Sequence, residues 1–462
     1  MKATPPAVNR GRAGSKGSKT VSPARRAAFE ILRRVETEGA YASALLATLD
    51  QEMRQDDRAL TNELVLGVLR RQLWLDRVSE HFAGRAIESV DVAVRLALRL
   101  GLYQIRFLSR IPAPAAVNES VNLVYLARLR SAASFVNAVL RRATREVEYD
   151  PAANEGDPIA RIAVETSHPA WLIERWVRCY GTEAESFARA NNEAAPVAFR
   201  FTRRAEEPKR ILDEIRATGA VLEPSRLVAD AWRVKGGSDV LQTLSHRGAI
   251  YLQDEASQLV GSLLEAKSGE RVLDVCAAPG SKALHLAALD PRTMIVAADL
   301  HEHRLKTLRR LAVLQGAGDV QLVAHDAARG LPFAAGSFDR VLVDAPCTGT
   351  GTLRHNPEIR WRITESDIQE LAATQRLILR NAAELVRRGG RLIYSTCSVE
   401  PEENEQVVQV FRTEHPEFAP VEPAWQKPDG TAPGLLTATG AIRTWPQRDD
   451  VDGFFMAAFT RS

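Results

Sequence analysis

Hydrophobic residues recur at helical spacing through the first third of the chain. Apolar positions three or four residues apart fall on one face of a helix, and the clearest sets are Phe29, Leu32 and Val35, then Val94, Leu98, Leu102, Ile105 and Leu108. Ser22 followed by Pro23 is a typical helix start. Pro112 and Pro114 interrupt the pattern before a further helical pair. The pattern predicts an all-α domain over residues 23–147.

The middle of the chain changes from helical to mixed patterning. Residues 146–160 form a polar stretch whose Pro and Gly residues are typical of a linker. Beyond it, the pattern predicts helices at His168–Tyr180, Glu183–Asn191 and Glu207–Thr218, and strands at 196–201 and 231–234. This mixture predicts a small α+β domain over residues 160–245.

From Gly248 onward, strand-like and helical segments alternate regularly. Short apolar runs predict strands at 271–275, 294–299, 320–325, 338–343, 391–395 and 454–459. Such alternation is typical of a mostly parallel sheet with helices on both faces. The pattern therefore predicts an α/β domain over residues 248–462. Ligands of such sheets bind outside the carboxyl ends of the strands.

Composition narrows the class of protein. A chain of 462 residues with 45% hydrophobic residues has room for about three domains. It contains no apolar run long enough to span a membrane, and its basic start lacks the apolar segment of a secretory signal. Its four cysteines are not in spaced pairs, which argues against a disulfide scaffold and against a metal site of the zinc type. We expect a monomer in a reducing cytoplasm.

Positive charge is concentrated near the N-terminus. Residues 1–145 hold 24 Lys and Arg against 13 Asp and Glu, a net charge of +11, and the remaining 317 residues carry −8. This asymmetry is typical of a nucleic-acid-binding module joined to another domain. Residues 1–22, with five basic and no acidic residues, predict a disordered basic arm that either touches RNA or is merely solvated. The excess of Arg over Lys suits phosphate binding, but a GC-rich genome would produce the same excess.

Two cysteines follow predicted strands. Cys347 and Cys397 each come directly after an apolar run and fall in a turn-like segment, so both thiols should lie near the ligand edge of the sheet. Cys276 also follows a predicted strand. This clustering favours thiol chemistry, although free cysteine is also a common buried residue. For Cys179, within a predicted helix, we expect the packing role.

Acidic residues follow the same strands. The loop after the first strand opens a helix with small residues, which let a ligand approach the backbone amides of the helix start; it comprises Cys276, Ala277, Ala278, Pro279, Gly280, Ser281 and Lys282. It lacks the glycine spacing of a dinucleotide-binding loop, which argues against a dehydrogenase. Asp299, Asp326 and Asp344 end the next three predicted strands. An acid such as Asp299 can bind ribose hydroxyls, and the set predicts a nucleoside pocket.

Several motifs resemble those of the RNA cytosine-C5 methyltransferases. The resemblance covers residues 248–462 and rests on Asp274–Lys282, Asp344–Gly351, Tyr394–Asn404, Arg354–Trp361 and Gln253–Ser257. The helical part, with Ala115–Val121 and Phe135–Arg142, resembles the RNA-binding fold of the antitermination factor NusB. That fusion is similar to the RsmB-type enzymes, which methylate small-subunit ribosomal RNA. The resemblance implies a Rossmann-like class I methyltransferase domain.

The resemblance also implies a chemistry and a set of roles. Cys397 would attack C6 of the cytosine, Cys347 would serve the later release of product, and Asp344 would hydrogen-bond or protonate N3. S-adenosylmethionine would be the cofactor, with Asp299 on its ribose, Asp326 on its adenine and residues 276–282 around its methionine portion. The target base would have to be unstacked to enter.

The chain departs from the family motif at two positions. The family's loop usually continues Gly-Gly-Lys-Thr, whereas here it reads Gly280-Ser281-Lys282-Ala283. Ser281 adds a side chain near the methionine end of the cofactor, and Ala283 lacks a hydroxyl. We expect modest effects on cofactor affinity.

Two other functions remain open at the level of sequence. A ribosome-assembly factor without catalysis would not need Cys347 and Cys397. A transfer-RNA enzyme of the same family is disfavoured only by the helical N-terminal domain.

Overall fold

Two units make up the chain in the computed structural model, which describes residues 20–49, 53–153, 155–421 and 434–462. The first unit contains residues 1–68 and 75–150, and the second contains 69–74 and 151–462. Most of the predicted basic arm, residues 1–19, lies outside the described part of the chain. No helix in the described ranges is long and apolar enough to cross a membrane.

The first unit is helical, as its periodicity predicts. Its helices are α1 (Pro23–Glu38), α2 (Ala42–Leu46), α3 (Gln55–Arg70), α4 (Gln72–Ala83), α5 (Val92–Phe107), α6 (Ala113–Leu126) and α7 (Ala133–Ala143). Single 3₁₀ turns lie at Ile87–Ser89 and Arg130–Ala132. Helix α1 begins at Pro23 as expected, but the Ser22 side chain does not cap it. Instead the Ser22 hydroxyl donates to Glu119, 3.3 Å away.

The second unit begins with three helices, α8 (Pro158–Thr166), α9 (Ala170–Tyr180) and α10 (Glu183–Ala190). Helix α8 begins inside the stretch predicted as a linker, so the end of that prediction is wrong. The reason is local, because Pro158 starts the helix and Asp157 accepts a hydrogen bond from the backbone amide of Ala160. Hydrophobic residues of these helices form a cluster around the buried Trp176.

A small antiparallel sheet follows. Its strands are β1 (Val197–Phe201), β2 (Val221–Pro224), β3 (Ala231–Lys235) and β4 (Ile250–Leu252), and the helices α11 (Pro208–Arg216) and α12 (Ser238–His246) lie between them in the chain. The order of the strands in the sheet is β2-β3-β1-β4. The predicted α+β character is confirmed. Strand β4 follows the predicted domain boundary at 245 but pairs with β1.

Among the described residues the larger sheet has eight strands, mostly parallel as predicted. Along its main path the order is β10-β12-β9-β8-β5-β6-β7, and β11 pairs with β12. These strands are β5 (Arg271–Asp274), β6 (Met294–Asp299), β7 (Gln321–Ala324), β8 (Phe338–Asp344), β9 (Val386–Thr396), β10 (Phe418–Pro420), β11 (Ile442–Arg443) and β12 (Phe455–Arg461). Strands β5 to β9 pair in parallel, whereas β10, β11 and β12 are antiparallel.

Helices cover this sheet and carry its core. They are α13 (Glu255–Leu263), α14 (Ser281–Leu289), α15 (Glu302–Leu314), α16 (Glu365–Glu384), α17 (Glu405–Glu414) and α18 (Pro446–Asp449). Short 3₁₀ helices lie at Ala327–Arg329, Thr350–Thr352 and Pro357–Trp361. Two hydrophobic clusters contain alternate residues of the central strands, for example Val272 in one and Leu273 in the other. This alternation places one cluster on each face, which is typical of a sheet buried on both sides.

Candidate active site

The predicted thiol pair meets at the carboxyl ends of two neighbouring strands. Strands β8 and β9 run parallel, with Asp344 opposite Ser395, so the loops that follow them leave the same edge of the sheet. These loops place the Sγ atoms of Cys347 and Cys397 3.3 Å apart. The pKa of the Cys347 thiol lies well above its usual range because of its hydrogen bond with Cys397 and because of burial. Cys347 therefore keeps its proton.

A buried lysine lies beside the two thiols. The Nζ of Lys282, in the first turn of α14, lies 2.7 Å from Oδ2 of Asp344 and 5.3 Å from the centre of the Phe454 ring. Burial alone would lower the pKa of Lys282, but the charge and hydrogen bond of Asp344 outweigh it and raise that pKa. The other Asp344 oxygen accepts a hydrogen bond from the Ser395 hydroxyl at 2.8 Å. Lys282 is thus a fixed ammonium group that orients Asp344.

Asp274 is a second acid near the Lys282–Asp344 ion pair. It ends β5 and is 1% exposed. Burial raises the pKa of Asp274 to about 8, and the nearby carboxylate of Asp344 adds to the rise, while Lys282 and the Cys276 amide oppose it. Sequence reasoning gave Asp274 no role of its own. Its position at a strand end was visible in the sequence, but its burial was not.

The predicted cofactor loop joins β5 to α14. Gly280 caps α14 with a φ of 116°, in the left-handed region that favours glycine, and a Cβ there would lie 2.8 Å from the Leu308 side chain. Asp299, at the end of β6 and buried, accepts hydrogen bonds from the amides of Ala278 and His301, each at 3.0 Å. Asp299 therefore ties the loop to the neighbouring strand.

The third predicted acid sits slightly beyond its strand. Strand β7 ends at Ala324, two residues before Asp326. The Asp326 side chain accepts a hydrogen bond from the Ala328 amide at 3.0 Å and so caps a short 3₁₀ helix. Because β8, β5, β6 and β7 are parallel neighbours, Asp344, Asp274, Asp299 and Asp326 follow one edge of the sheet.

The other two cysteines differ from the central pair. Burial, together with Asp274 and other nearby acids, holds the pKa of Cys276 well above its usual range, so this thiol stays protonated. Cys276 lies in the loop between β5 and α14, and its place beside a cofactor stays a prediction. Cys179 is exposed on α9, and the expectation that it is a packing residue is wrong. Helical periodicity placed it near the apolar face, but the buried side of α9 is formed by residues such as Trp176.

A group that sequence reasoning missed lies close to the thiols. Asp254, His355 and Asp452 place one ligand atom each within 4.8 Å of the others. Carboxylates and imidazole can bind a divalent cation, although Arg354 also acts on this group, opposing the rise in the pKa of Asp452 that burial causes. The three residues come from segments about 100 residues apart, so no local motif identifies them. The predicted absence of a metal stays a prediction.

Three family models match successive parts of the chain. The 16S rRNA methyltransferase RsmB/F model matches residues 261–460. The NusB family model matches residues 22–145, and the ferredoxin-like domain model of RsmF/B-like methyltransferases matches residues 168–241.

Whole-chain relatives agree with these matches. A probable ribosomal RNA small subunit methyltransferase B from Bacillus subtilis is 35% identical over 94% of this chain and 98% of its own length. The ribosomal RNA small subunit methyltransferase B of Vibrio cholerae is 32% identical over 95% of this chain and 97% of its own.

Solved structures show the same fold. The crystal structure of PH0851 is 30% identical, covers 96% of this chain and 99% of its own, and superposes with a TM-score of 0.79. The structure of NSun6 from Pyrococcus horikoshii with SFG, 20% identical, covers 63% of this chain and 98% of its own with a TM-score of 0.55. The family models and the full-length relatives agree with the fold of the helical unit and of both sheets. The chain therefore belongs to the RsmB/F family of 16S ribosomal RNA methyltransferases.

Proposed function

We propose that this protein methylates C5 of a cytosine in small-subunit ribosomal RNA with S-adenosylmethionine, through a covalent bond between Cys397 and C6 of the base. The observation that carries the proposal is the 3.3 Å separation of the Cys347 and Cys397 Sγ atoms at the carboxyl edge of the sheet. A chain that only binds RNA has no use for two thiols held together beside Asp344 and Lys282.

Cys397 is the nucleophile in this proposal. A hydrogen bond joins its sulfur to that of Cys347, and this bond and burial raise the pKa of Cys347. As a thiolate, Cys397 adds to C6, and the electron pair of the C5–C6 double bond then makes C5 nucleophilic. Asp344, oriented by Lys282, holds the ring through a proton shared with N3, because a carboxylate and N3 are both hydrogen-bond acceptors.

Cys347 serves the second half of the reaction. Its Sγ lies 3.3 Å from the Cys397 sulfur, which places it beside the bond that must break. As the bond between Cys397 and C6 breaks, Cys347 gives its proton to the leaving sulfur of Cys397 and takes the proton of C5 in its place. The thiol of Cys397 leaves, and the C5–C6 double bond of the base forms again.

The residues around the β5–α14 loop fit a nucleoside cofactor. Gly280, whose φ of 116° favours glycine, brings the loop to the start of α14, where free backbone amides can bind a ligand. When bound, S-adenosylmethionine supplies the electrophilic methyl group. Residues 276–282 would hold its methionine portion, with Asp299 on the ribose and Asp326 on the adenine. The NSun6 structure that carries SFG has this same fold, which supports the assignment.

The test separates the two thiols by the product that each variant accumulates. We expect Cys397→Ala to leave RNA free, because the bond to C6 never forms. Cys347→Ala should form the bond, transfer the methyl group and then stall as a protein–RNA adduct that survives a denaturing gel. Cys179→Ala, which changes an exposed thiol on α9, is the matched control and should behave as the unmodified protein. Methyl transfer by Cys397→Ala at the rate of the unmodified protein would refute the proposal.

A further inference from the structure

One buried carboxylate connects the two thiol loops. Thr348 directly follows Cys347, and Ser398 directly follows Cys397. The amide of Thr348 donates to Oε1 of Glu403 at 2.9 Å, and its hydroxyl donates to Oε2. The hydroxyl of Ser398 donates to the same Oε2. The side chain of Glu403 therefore holds both Thr348 and Ser398, the residues that follow the two thiols.

Glu403 is fixed in turn by the elements behind it. Its side chain is 0% exposed, and Nε2 of Gln375, on α16, donates to Oε1 at 2.9 Å and to the carbonyl of Pro346 at 2.8 Å. The hydroxyl of Tyr394, on β9, donates to the Glu403 carbonyl at 2.5 Å. Gln375 thus supports both the carboxylate and the loop that carries Cys347.

The contacts of Glu403 are directional hydrogen bonds. In the described part of the chain no Lys, Arg or His forms an ion pair with this carboxylate, unlike Glu400 and Glu405 of the same segment, which pair with Arg175 and Arg443. Burial raises the pKa of Glu403, and the hydrogen bonds from Ser398, Thr348 and Gln375 oppose that rise. A carboxylate that receives four donors and no cation positions its partners, because each bond fixes both a distance and an angle.

We propose that Glu403 is a positioning residue that sets the separation of the Cys347 and Cys397 sulfur atoms by holding the residue after each thiol. The inference rests on the proposed covalent mechanism, in which both thiols must reach the same cytosine. Glu403 itself touches no reacting atom. Its loss should let the two loops move independently while the loop between β5 and α14, which takes no part in these hydrogen bonds, stays intact.

Three variants test this role. Glu403→Ala removes all four acceptor contacts. Glu403→Gln keeps the size of the side chain and one oxygen, and the hydroxyls of Thr348 and Ser398 can rotate to accept from its amide. Glu405→Gln, two residues on and paired with Arg443 rather than with a thiol loop, is the matched control. Thermal unfolding and calorimetric binding of S-adenosylmethionine establish that each variant is folded.

The first measurement reports thiol geometry without any methyl transfer. Diamide takes two electrons and two protons from a pair of thiols and leaves a disulfide, and peptide mass spectrometry follows the formation of the Cys347–Cys397 bond. We expect disulfide formation to be about tenfold slower in Glu403→Ala than in Glu405→Gln, with Glu403→Gln between them, since a displacement of about 1 Å is enough to change such rates strongly.

The second measurement is turnover. The kcat of Glu403→Ala should fall by about a hundredfold, with the KM for S-adenosylmethionine unchanged and a protein–RNA adduct accumulating as it does for Cys347→Ala. The positioning role would be overturned if kcat fell while the rate of disulfide formation and the amount of adduct stayed equal to those of Glu405→Gln. Absence of any adduct from Cys347→Ala would instead refute the covalent mechanism and leave the disulfide comparison intact. If Glu403→Ala does not fold, Glu403→Gln alone decides by the same two readouts.

Discussion

At the scale of single residues, the active site contains charged groups whose titration the fold has altered. The meeting of Cys347, Cys397 and Asp344 at one edge of the sheet could be predicted because each ends or follows an apolar strand within a local motif, while their catalytic roles stay predictions. Asp274 and Glu403 lie in the same motifs, but their roles could not be predicted. Burial and hydrogen-bond partners depend on segments far apart in the chain, such as Thr348 and Glu403, and no local pattern records those distances.

Asp274 should make the stability of the second unit depend on pH. Its pKa of about 8 in the folded protein lies above the unfolded value of about 3.9, so between these values the folded state binds the extra proton. Stability should therefore fall as pH rises from about 4 to about 8, by an amount on the order of a few kcal/mol. Asp274→Asn should flatten this slope. Thermal unfolding of the cofactor-free protein across that range measures it, and parallel curves for the two proteins would contradict the expectation.

Asp299 should contribute to cofactor affinity in two ways. A carboxylate that binds ribose hydroxyls contributes about 1.5–3 kcal/mol, and Asp299 also holds the Ala278 amide of the loop. Asp299→Ala should weaken S-adenosylmethionine binding by roughly ten- to a hundredfold. Glu302→Ala, at an exposed acid three residues on, is the control for calorimetry. Equal dissociation constants of the two variants for S-adenosylmethionine would show that Asp299 does not bind the cofactor.

At the scale of elements, the buried strands at the centre of the large sheet were predicted well, and strands at the sheet edges and in the small sheet were predicted less well. Strands β5, β6 and β8 lie within a residue or so of their predictions, since each has enough alternating or continuous apolar residues to be recognised. Strand β9 begins five residues earlier than predicted, because it continues through Gly389 and Gly390. Strands β2, β4, β10 and β11 have two to four residues, too few to show a period.

One glycine joins three segments at the site. The Gly351 amide donates to the Cys397 carbonyl at 2.9 Å, and the Gly453 amide donates to the Gly351 carbonyl at 2.8 Å. A Cβ on Gly351 would lie 1.9 Å from the Gly453 carbonyl oxygen, so Gly351→Ala must displace backbone. We expect a loss of about 1–3 kcal/mol in the free energy of unfolding together with loss of methyl transfer. Gly434→Ala, where a Cβ meets nothing within 4 Å, should change neither quantity in denaturant titration and methylation assays.

At the scale of the whole molecule, charge asymmetry and domain class could be predicted from the sequence. The helical unit, the small sheet and the parallel sheet follow from a change of periodicity along the chain. The order of strands could not be predicted in the same way, because β12 pairs with β9, whose last residue is almost 60 positions earlier. Local patterns do not encode pairings at that range.

The basic N-terminal unit should contribute RNA affinity that depends on salt. The test variant replaces three exposed arginines of that unit by Gln: Arg128, Arg130 and Arg145. It should bind small-subunit ribosomal RNA more weakly. The slope of log Kd against log salt should fall by about 0.7–0.9 for each phosphate that the variant no longer neutralises. Three exposed arginines of the second unit serve as the control: Arg210, Arg292 and Arg388. Filter binding across a salt series measures both sets, and equal slopes for them would assign the RNA-binding surface elsewhere.

The position of β12 has a consequence for the order in which the protein folds. Strand β12 lies between β9 and β10, although both of them precede it in the chain. Strand β9 therefore keeps one unpaired side until a distant segment arrives, and such non-local pairing is a slow step. Because the amide of Gly453, just before β12, also donates to the Gly351 carbonyl, the Cys397 thiol reaches its final surroundings only in this late step. During refolding, the alkylation rate of Cys397 should reach its native value only when β12 inserts, after the parallel strands have formed.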